Sequence, residues 1–144
     1  MTTSKGEGAL LALFSAVQSV AGAKVVRNEP EGADVPDGGL INVLDGDRGE
    51  PDELMSPRRF EFQHRAEIFV SIEAAESSER SSRMDELLQG ICAAISADET
   101  LGGAVDLADP APPETADQAI IGGKTVKGAI LPVILYYVAD TVCG

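Results

Sequence analysis

Hydrophobic and polar residues alternate along Arg58 to Glu73 almost without a break. The apolar set, which includes one histidine, consists of Phe60, Phe62, His64, Ala66, Ile68, Val70 and Ile72. The opposite set is polar apart from Phe69 and consists of Glu61, Gln63, Arg65, Glu67, Ser71 and Glu73. Successive side chains of a strand point to opposite faces. The pattern therefore predicts a long, antiparallel-type strand with one buried and one solvated face.

Two other stretches show the three- and four-residue spacing of an amphipathic helix. The first is predicted from Gly8 to about Ala21, and its apolar stripe is Leu10, Leu13, Phe14 and Val17. The second has the stripe Met84, Leu87, Leu88, Ile91, Cys92 and Ile95, and it ends within Ser96 to Gly103. Ser82 stands three residues before Asp85, in the manner of a capping box, but a start near Ser77 is an open alternative.

Short apolar segments predict the remaining strands, which are Lys24 to Arg27, Leu40 to Leu44, a weaker Ala119 to Ile121, and Lys127 to Val138. The weaker strand pairs with the last one if Gly122-Gly123 forms a turn. The last strand is nearly all apolar, which is typical of a strand buried on both faces. Since Pro132 cannot donate a hydrogen bond, we expect it at an outward-facing or bulged position.

Asp45-Gly46 is predicted to end the second strand, so Asp45 to Pro57 and the Pro-rich Asp109 to Thr115 are predicted loops. The order is then α-β-β-β-α-(β)-β, without an internal repeat. We predict a single α+β domain over residues 1–144. Its sheet is four- or five-stranded, mixed and mostly antiparallel, and two main helices pack on one face. The expected core is Leu10, Leu13, Phe14, Val17, Leu87, Leu88, Ile91 and Ile95 against Phe60, Phe62, Ile68, Val70 and Val133 to Leu135.

The composition favours a globular protein with an aliphatic core, because 44% of the residues are hydrophobic and only 4% are aromatic. Two cysteines, Cys92 and Cys143, indicate a reduced compartment without a disulfide framework. Met1 to Gly8 lacks the order of a signal peptide, and no apolar stretch is long enough to span a bilayer. We therefore expect a protein that is cytosolic when it is made.

The formal net charge of −13 argues against binding to a nucleic-acid backbone as the main activity, which requires a basic surface. The acid is concentrated in two connections, Leu44 to Pro57 and Glu99 to Gln118, whereas the predicted strands are nearly neutral. Solvated loops would explain this distribution. The alternative is that one connection lines a surface which must repel an anion.

Two short motifs resemble ligand-binding loops. Gly123-Lys124-Thr125 looks like the end of a phosphate-binding loop, but Gln118 replaces the required glycine and a strand follows. Asp45-Gly46-Asp47 looks like the opening of a calcium loop. Gly49, however, replaces the third ligand, Glu50 replaces the invariant glycine, and Ser56 replaces the closing glutamate. We therefore predict no metal and no cofactor.

His64 is the only histidine, so one chain cannot supply a two-histidine metal site. A thiol–imidazole pair between Cys92 and His64 would be possible if the second helix crossed the long strand. Catalytic cysteines need an accessible, electropositive setting, however, and Cys92 lies on an apolar stripe. We predict a protein that is not an enzyme and has no catalytic residue. A small cytosolic enzyme of acyl-transfer type that uses Cys92, or an acidic adaptor protein, remains the alternative.

Several short motifs occur in order along the chain: Val25-Val26-Arg27-Asn28, Val43-Leu44-Asp45-Gly46, the strand Phe60 to Glu73, Ala97-Asp98-Glu99-Thr100-Leu101-Gly102-Gly103, Gly128-Ala129 and Tyr136-Tyr137-Val138-Ala139-Asp140. Together with the first helix, this order resembles the tail-terminator, or tail-completion, proteins of long-tailed bacteriophages, prophages and gene-transfer agents. The resemblance covers nearly the whole chain, although the motifs are short. The link Glu29 to Gly39 departs from it.

The resemblance implies a minor tail protein that forms a homo-oligomeric ring, typically a hexamer. Such a ring caps the tail tube, stops tube polymerisation and forms the joint to the head connector. The implied partners are the tail tube protein and the head–tail connector, with no membrane. DNA would pass through the lumen without specific binding. The implied location is the bacterial cytoplasm during assembly and then the tail of the virion or phage-like particle.

A ring of this kind uses a heterologous interface, in which two different patches of each subunit meet. The predicted subunit-interface residues all lie in or next to the first acidic connection: Asp45, Asp47, Arg48, Glu50, Arg58 and Arg59. Its three arginines would meet acidic patches on a neighbour and set the register of the contact. We expect this loop of about thirteen residues to be mobile in the isolated protein and ordered in the ring.

Overall fold

A computed structural model describes residues 3–20, 22–30, 35–74, 76–115, 119–121 and 124–144, and at 119–121 and 124 it describes the backbone. The elements in chain order are α1 (Lys5–Val17), β1 (Lys24–Arg27), β2 (Leu40–Asp47), β3 (Asp52–Leu54), β4 (Arg59–Glu73), α2 (Ser77–Ala97), β5 (Leu107–Pro110), β6 (Glu114–Thr115), β7 (Ala119–Ile121) and β8 (Lys124–Ala139).

The strands form one mixed sheet in the order β1-β2-β4-β8-β5. β3 also pairs with β4, and β6 and β7 also pair with β8. β1 runs parallel to β2, whereas the other described pairs are antiparallel. The predicted α+β class, with two helices and a mixed, mostly antiparallel sheet, is confirmed. The described strands outnumber the predicted four or five because β3 and β6 form inside segments predicted as loops, and β5 begins just before one of them.

The alternating pattern of β4 is confirmed, since its even-numbered residues from Phe60 to Ile72 are all buried. β4 lies between β2 and β8, and its ladder with β8 runs from the pair Phe60–Ala139 to the pair Glu73–Val126. This central position explains the length of the pattern. One face of β4 is buried along its whole length because its side chains belong to the core cluster that both helices share.

The helices differ from prediction at their ends. The side chain of Ser4 accepts a hydrogen bond from the backbone N–H of Glu7, so α1 begins earlier than predicted. The helix ends at Val17 rather than near Ala21. α2 begins at Ser77, which decides between the two alternatives. Ser82 lies inside α2, and the capping-box interpretation is therefore wrong.

One buried cluster joins both helices to the even-numbered positions of β4 and their neighbours on β8. Most of the predicted core is confirmed, and its fully buried helix residues are Leu10, Leu13, Val17, Leu87, Ile91 and Ile95. Phe14 and Leu88 are only half-buried. Ile134 is also half-buried, because it lies on the other face of the sheet, opposite Arg65 of β4.

That other face carries apolar side chains that no described helix covers. Phe69, Ile130, Ile134, Tyr136 and Val138 share it, and each is half-buried. The prediction that the last strand is buried on both faces is therefore wrong. Its second face is apolar but partly open to solvent. We refer to this side of the sheet as the open face.

Asp45-Gly46 does not end a strand, which corrects the predicted turn. β2 continues to Asp47 past a register shift between Leu44 and Asp47. Gly46 makes this irregularity possible: its φ is +66°, and a Cβ there would lie 1.9 Å from the carbonyl oxygen of Arg65. The predicted loop to Pro57 also contains β3, which forms a hairpin with the start of β4.

Pro132 occupies a place in the sheet that tolerates its missing donor. Its carbonyl accepts a hydrogen bond from the N–H of Ala111, just beyond β5. The N and C=O of one strand residue point to the same side, so the missing N–H faces the space between β5 and β6 rather than β4. The ladder between β4 and β8 thus loses no bond at Pro132, which lies on the open face but is buried.

Candidate functional site

The six predicted interface residues do not form one patch. Asp45 and Arg48 take part in a polar cluster where β2, β4 and α1 meet. Asp47 accepts a hydrogen bond from the N–H of Gly49, and Glu50 is exposed beside it. Arg58 lies in the turn of the hairpin formed by β3 and β4, and Arg59 is the first residue of β4. The sequence neighbourhood is therefore divided into an inner cluster and an outer hairpin.

The inner cluster begins with Arg27 at the end of β1. Its guanidinium donates to the carboxylate of Glu7 in α1, and its Nη2 also lies 2.9 Å from Oδ1 of Asp45. Asn28 donates to the same Asp45 oxygen at 3.0 Å. Partial burial raises the pKa of Asp45, but the hydrogen bonds from Asn28 and Arg27 outweigh it and hold this pKa below its usual value. The cluster thus fixes α1 to the ends of β1 and β2.

His64 is the buried centre of this cluster, with 1% of its surface exposed. Its Nε2 lies 2.6 Å from the backbone carbonyl of Asp45, and its Nδ1 lies 3.0 Å from the hydroxyl of Tyr137. Because a carbonyl only accepts, the proton must sit on Nε2, and the Tyr137 hydroxyl donates to Nδ1. Burial lowers the pKa of His64, and the charge of Arg48 adds to that effect. The buried His64 is therefore hydrogen-bonded at both ring nitrogens, in its neutral form.

Arg48 closes the cluster from the outside. Its Nη1 donates to the carbonyl of Cys143 at 2.8 Å. A Cβ on Gly6 would lie 2.7 Å from Cζ of Arg48 and 2.8 Å from the hydroxyl of Tyr137, so α1 approaches closely only because residue 6 is glycine. The Arg48 guanidinium therefore already has a partner in its own chain.

The outer hairpin carries a different chemistry. Leu54 and Met55 are exposed, and Met55 is 72% exposed. Nε of Arg58 lies 2.6 Å from a carboxylate oxygen of Glu53, and its guanidinium lies 5.2 Å from the ring centre of Phe60. Sequence reasoning missed Leu54 and Met55. Their signal was two adjacent apolar residues inside an otherwise acidic connection.

The pair between Cys92 and His64 does not form, because both ring nitrogens of His64 are engaged by Tyr137 and Asp45. Cys92 is half-buried against the core, and burial raises the pKa of its thiol. A raised pKa disfavours the thiolate that a nucleophile requires. The arrangement thus lacks the activation on which the enzyme alternative depends.

The two motif candidates also have different surroundings from those their chemistry needs. Lys124 and Thr125 begin the strand β8, whereas a phosphate-binding loop leads into a helix. Gly123 lies outside the described residues. Across the described ranges, no group of three or more His, Cys, Asp or Glu side chains is placed to hold a metal ion.

No family model matches the chain, and no curated protein sequence matches it either. The resemblance to tail terminators therefore rests on the motifs quoted above. Among the helices described, none is both long and apolar enough to cross a membrane.

Proposed function

We propose that this chain is the tail terminator of a phage-type particle. It forms a closed ring, a hexamer, on the end of the tail tube, stops polymerisation and provides the joint to the head connector. Assembly takes place in the bacterial cytoplasm, and the ring then stays in the tail of the particle. The proposal derives from the element order and the short motifs, which resemble those of the family.

The observation that carries it is the pair of unlike exposed surfaces on one small domain. The hairpin ends in exposed Leu54 and Met55, and the open face presents a separate row of apolar side chains. Rings need two different, complementary patches on each subunit. A domain with this arrangement suits self-assembly better than a solitary role as an adaptor.

The charge supports a pore through which DNA slides. Exposed acids, including Glu50 and Asp52, lie on the first of the two connections that the sequence marked. Phosphates are repelled by an acidic wall, so DNA in such a lumen is not retained. The net charge of −13 is consistent with this role.

The test is the solution mass of the protein across a range of concentrations, with and without purified tail tubes. We expect a ring at high concentration or on the tube ends, and no retention of DNA. A protein that stays monomeric and ignores tubes at every concentration contradicts the proposal. Substrate turnover that Cys92→Ser abolishes would instead support the enzyme alternative.

A further inference from the structure

The open face combines an apolar stripe with acidic margins. The stripe consists of Phe69, Leu107, Ile130, Ile134, Tyr136 and Val138, which share one side of β4, β8 and β5 by register. The acids on the same side of β4, β5 and β6 are Glu61, Glu67, Glu73, Asp109 and Glu114. Arg65 is a cation among them, and it lies 3.7 Å from Glu114. An occupant of this face must therefore be apolar at its centre and cationic at its edge.

The outer hairpin has this composition. Of the exposed large apolar side chains in the described part of the chain, which are Leu11, Leu54, Met55 and Val142, two are adjacent and lie at the hairpin turn. Arg58 and Arg59 follow within four residues of Met55, and both are exposed. We call Leu54, Met55, Arg58 and Arg59 the hairpin tip. Its apolar pair complements the stripe, and its arginines complement the acids of the open face, although Arg58 also pairs with Glu53 of its own chain.

Two open faces cannot satisfy each other in the same way. Each face carries more acids than cations, so stacking two copies brings an excess of like charge together, which disfavours association. The hairpin tip removes this conflict because it supplies cations. A contact between tip and face is also heterologous, the type of contact that builds a ring when the rotation between neighbours closes.

We propose that the hairpin tip of one copy docks on the open face of the next copy. Leu54 and Met55 then cover the apolar stripe, while Arg58 and Arg59 approach the acids at its edge. The inference rests on the proposed ring and specifies which surfaces build it. The polar cluster around His64 lies outside the contact and serves to hold α1 and the sheet together.

Met55→Asp tests the tip. The concentration at half-assembly, measured by native mass spectrometry or by co-sedimentation with tail tubes, should rise about tenfold or more, as when a central apolar anchor is lost. Val142→Asp is the matched control, because it places the same charge on an exposed apolar residue outside tip and stripe. It should leave assembly unchanged, and both variants should keep the unfolding temperature of the parent protein.

Ile134→Asp tests the face, and mixing the variants tests the direction of the contact. Each variant alone should lose assembly. In an equimolar mixture, the intact tip of Ile134→Asp can dock on the intact face of Met55→Asp, which yields a heterodimer that cannot grow into a ring. Thermal unfolding of Ile134→Asp checks that its fold survives, and Tyr136→Asp provides a second face variant.

The outcomes separate the two proposals. Rings of Met55→Asp that form at the parental concentration overturn the tip-to-face contact and leave the terminator proposal standing. A mixture that contains no heterodimer, while both variants are folded, also overturns the contact. A parent protein that never assembles, with or without tubes, overturns the terminator proposal together with the contact built on it.

Discussion

At the scale of single residues, the hydrogen bonds of His64 determine how the charged end of the sheet is organised. The imidazole connects the backbone of β2 to Tyr137 of β8, and the Tyr137 side chain is fully buried. A buried polar group that loses its partner keeps its full desolvation cost. The histidine is therefore tolerated in the core only while both of its nitrogens are satisfied.

Tyr137→Phe should lower the free energy of unfolding by about 1–3 kcal/mol, because it leaves Nδ1 of His64 without its donor. Tyr136→Phe is the matched control, since Tyr136 lies half-buried on the open face and its change should stay within about 0.5 kcal/mol. Urea denaturation of both variants measures the difference. Equal losses in the two would contradict the role given to the Tyr137 hydroxyl.

The stability should depend on pH through His64. Its pKa in the folded protein lies below the ordinary value of about 6.5, so the unfolded chain takes up the proton first as the pH falls. The stabilisation of the fold by neutral His64 is therefore fully present above about pH 6.5 and decreases as the pH falls below it. We expect the stability difference between the parent and His64→Gln to be constant above neutrality and to narrow in acid. A difference that widens in acid would show that the folded protein prefers the protonated imidazole.

Two neighbouring residues of α2 should respond differently to truncation. Ile91 is fully buried, so Ile91→Ala should cost about 2–5 kcal/mol of unfolding free energy. Leu88 is half-buried, so Leu88→Ala should lower the unfolding free energy by less than this range, although both residues belong to the predicted apolar stripe. Guanidinium denaturation compares the two variants directly. A larger loss for Leu88→Ala would mean that the buried face of α2 is wrongly assigned.

At the scale of elements, Gly46 allows β2 to continue through a sequence that is typical of a turn. Asp45-Gly46 has the composition of a turn, yet the chain stays paired with β4 as far as Asp47 and Arg65. The extra residues are absorbed by the register shift, and Gly46 adopts the positive φ that this shift requires. Such irregularities bend a strand and redirect its end. Here the chain goes on to build the hairpin.

Gly46→Ala should therefore be strongly destabilising, since its Cβ would collide with the backbone of Arg65 at a positive φ. We expect a loss of more than about 2 kcal/mol. Gly49→Ala is the control: its φ is +70°, but the nearest atom is 3.9 Å away, so it should show only the cost of the backbone conformation, about 1 kcal/mol. Thermal unfolding measures both, and similar losses would contradict a steric role for Gly46.

At the scale of the whole molecule, the acidic charge belongs to the connections and to the margins of the open face. If the first connection faces the lumen of the ring, its acids keep DNA from binding. Removing charge there should matter more than removing it from the helices, because electrostatic repulsion is screened within about 10 Å at moderate salt.

The double change Glu50→Gln and Asp52→Asn should increase DNA retention by assembled rings at low salt, with the gain lost as salt is added. The same charge change on α2, Glu79→Gln with Asp85→Asn, is the control and should leave retention unaltered. Filter binding on rings of equal mass gives the measurement. Equal DNA retention by both variants would show that the first connection does not face the lumen.

The sequence alone determined which segments become the main elements and which faces of β4 and α2 are buried. The alternation of β4 and the stripe of α2 are local patterns, and burying apolar surface on one side requires little knowledge of the partner. Phe60, Ile68, Leu87 and Ile91 were accordingly placed correctly. The predicted boundaries failed where caps and bulges decide them, as at Ser4 and Gly46.

Tertiary structure decided everything that depends on residues distant along the chain. β3, β5 and β6 have too little apolar pattern to be recognised, and they are strands only because the long β4 and β8 offer unpaired backbone groups at their edges. Likewise, His64 and Tyr137 are 73 residues apart, so no local signal announces their hydrogen bond. The open face exists because both helices pack on the opposite side of the sheet, a choice made by the whole core rather than by β8 itself.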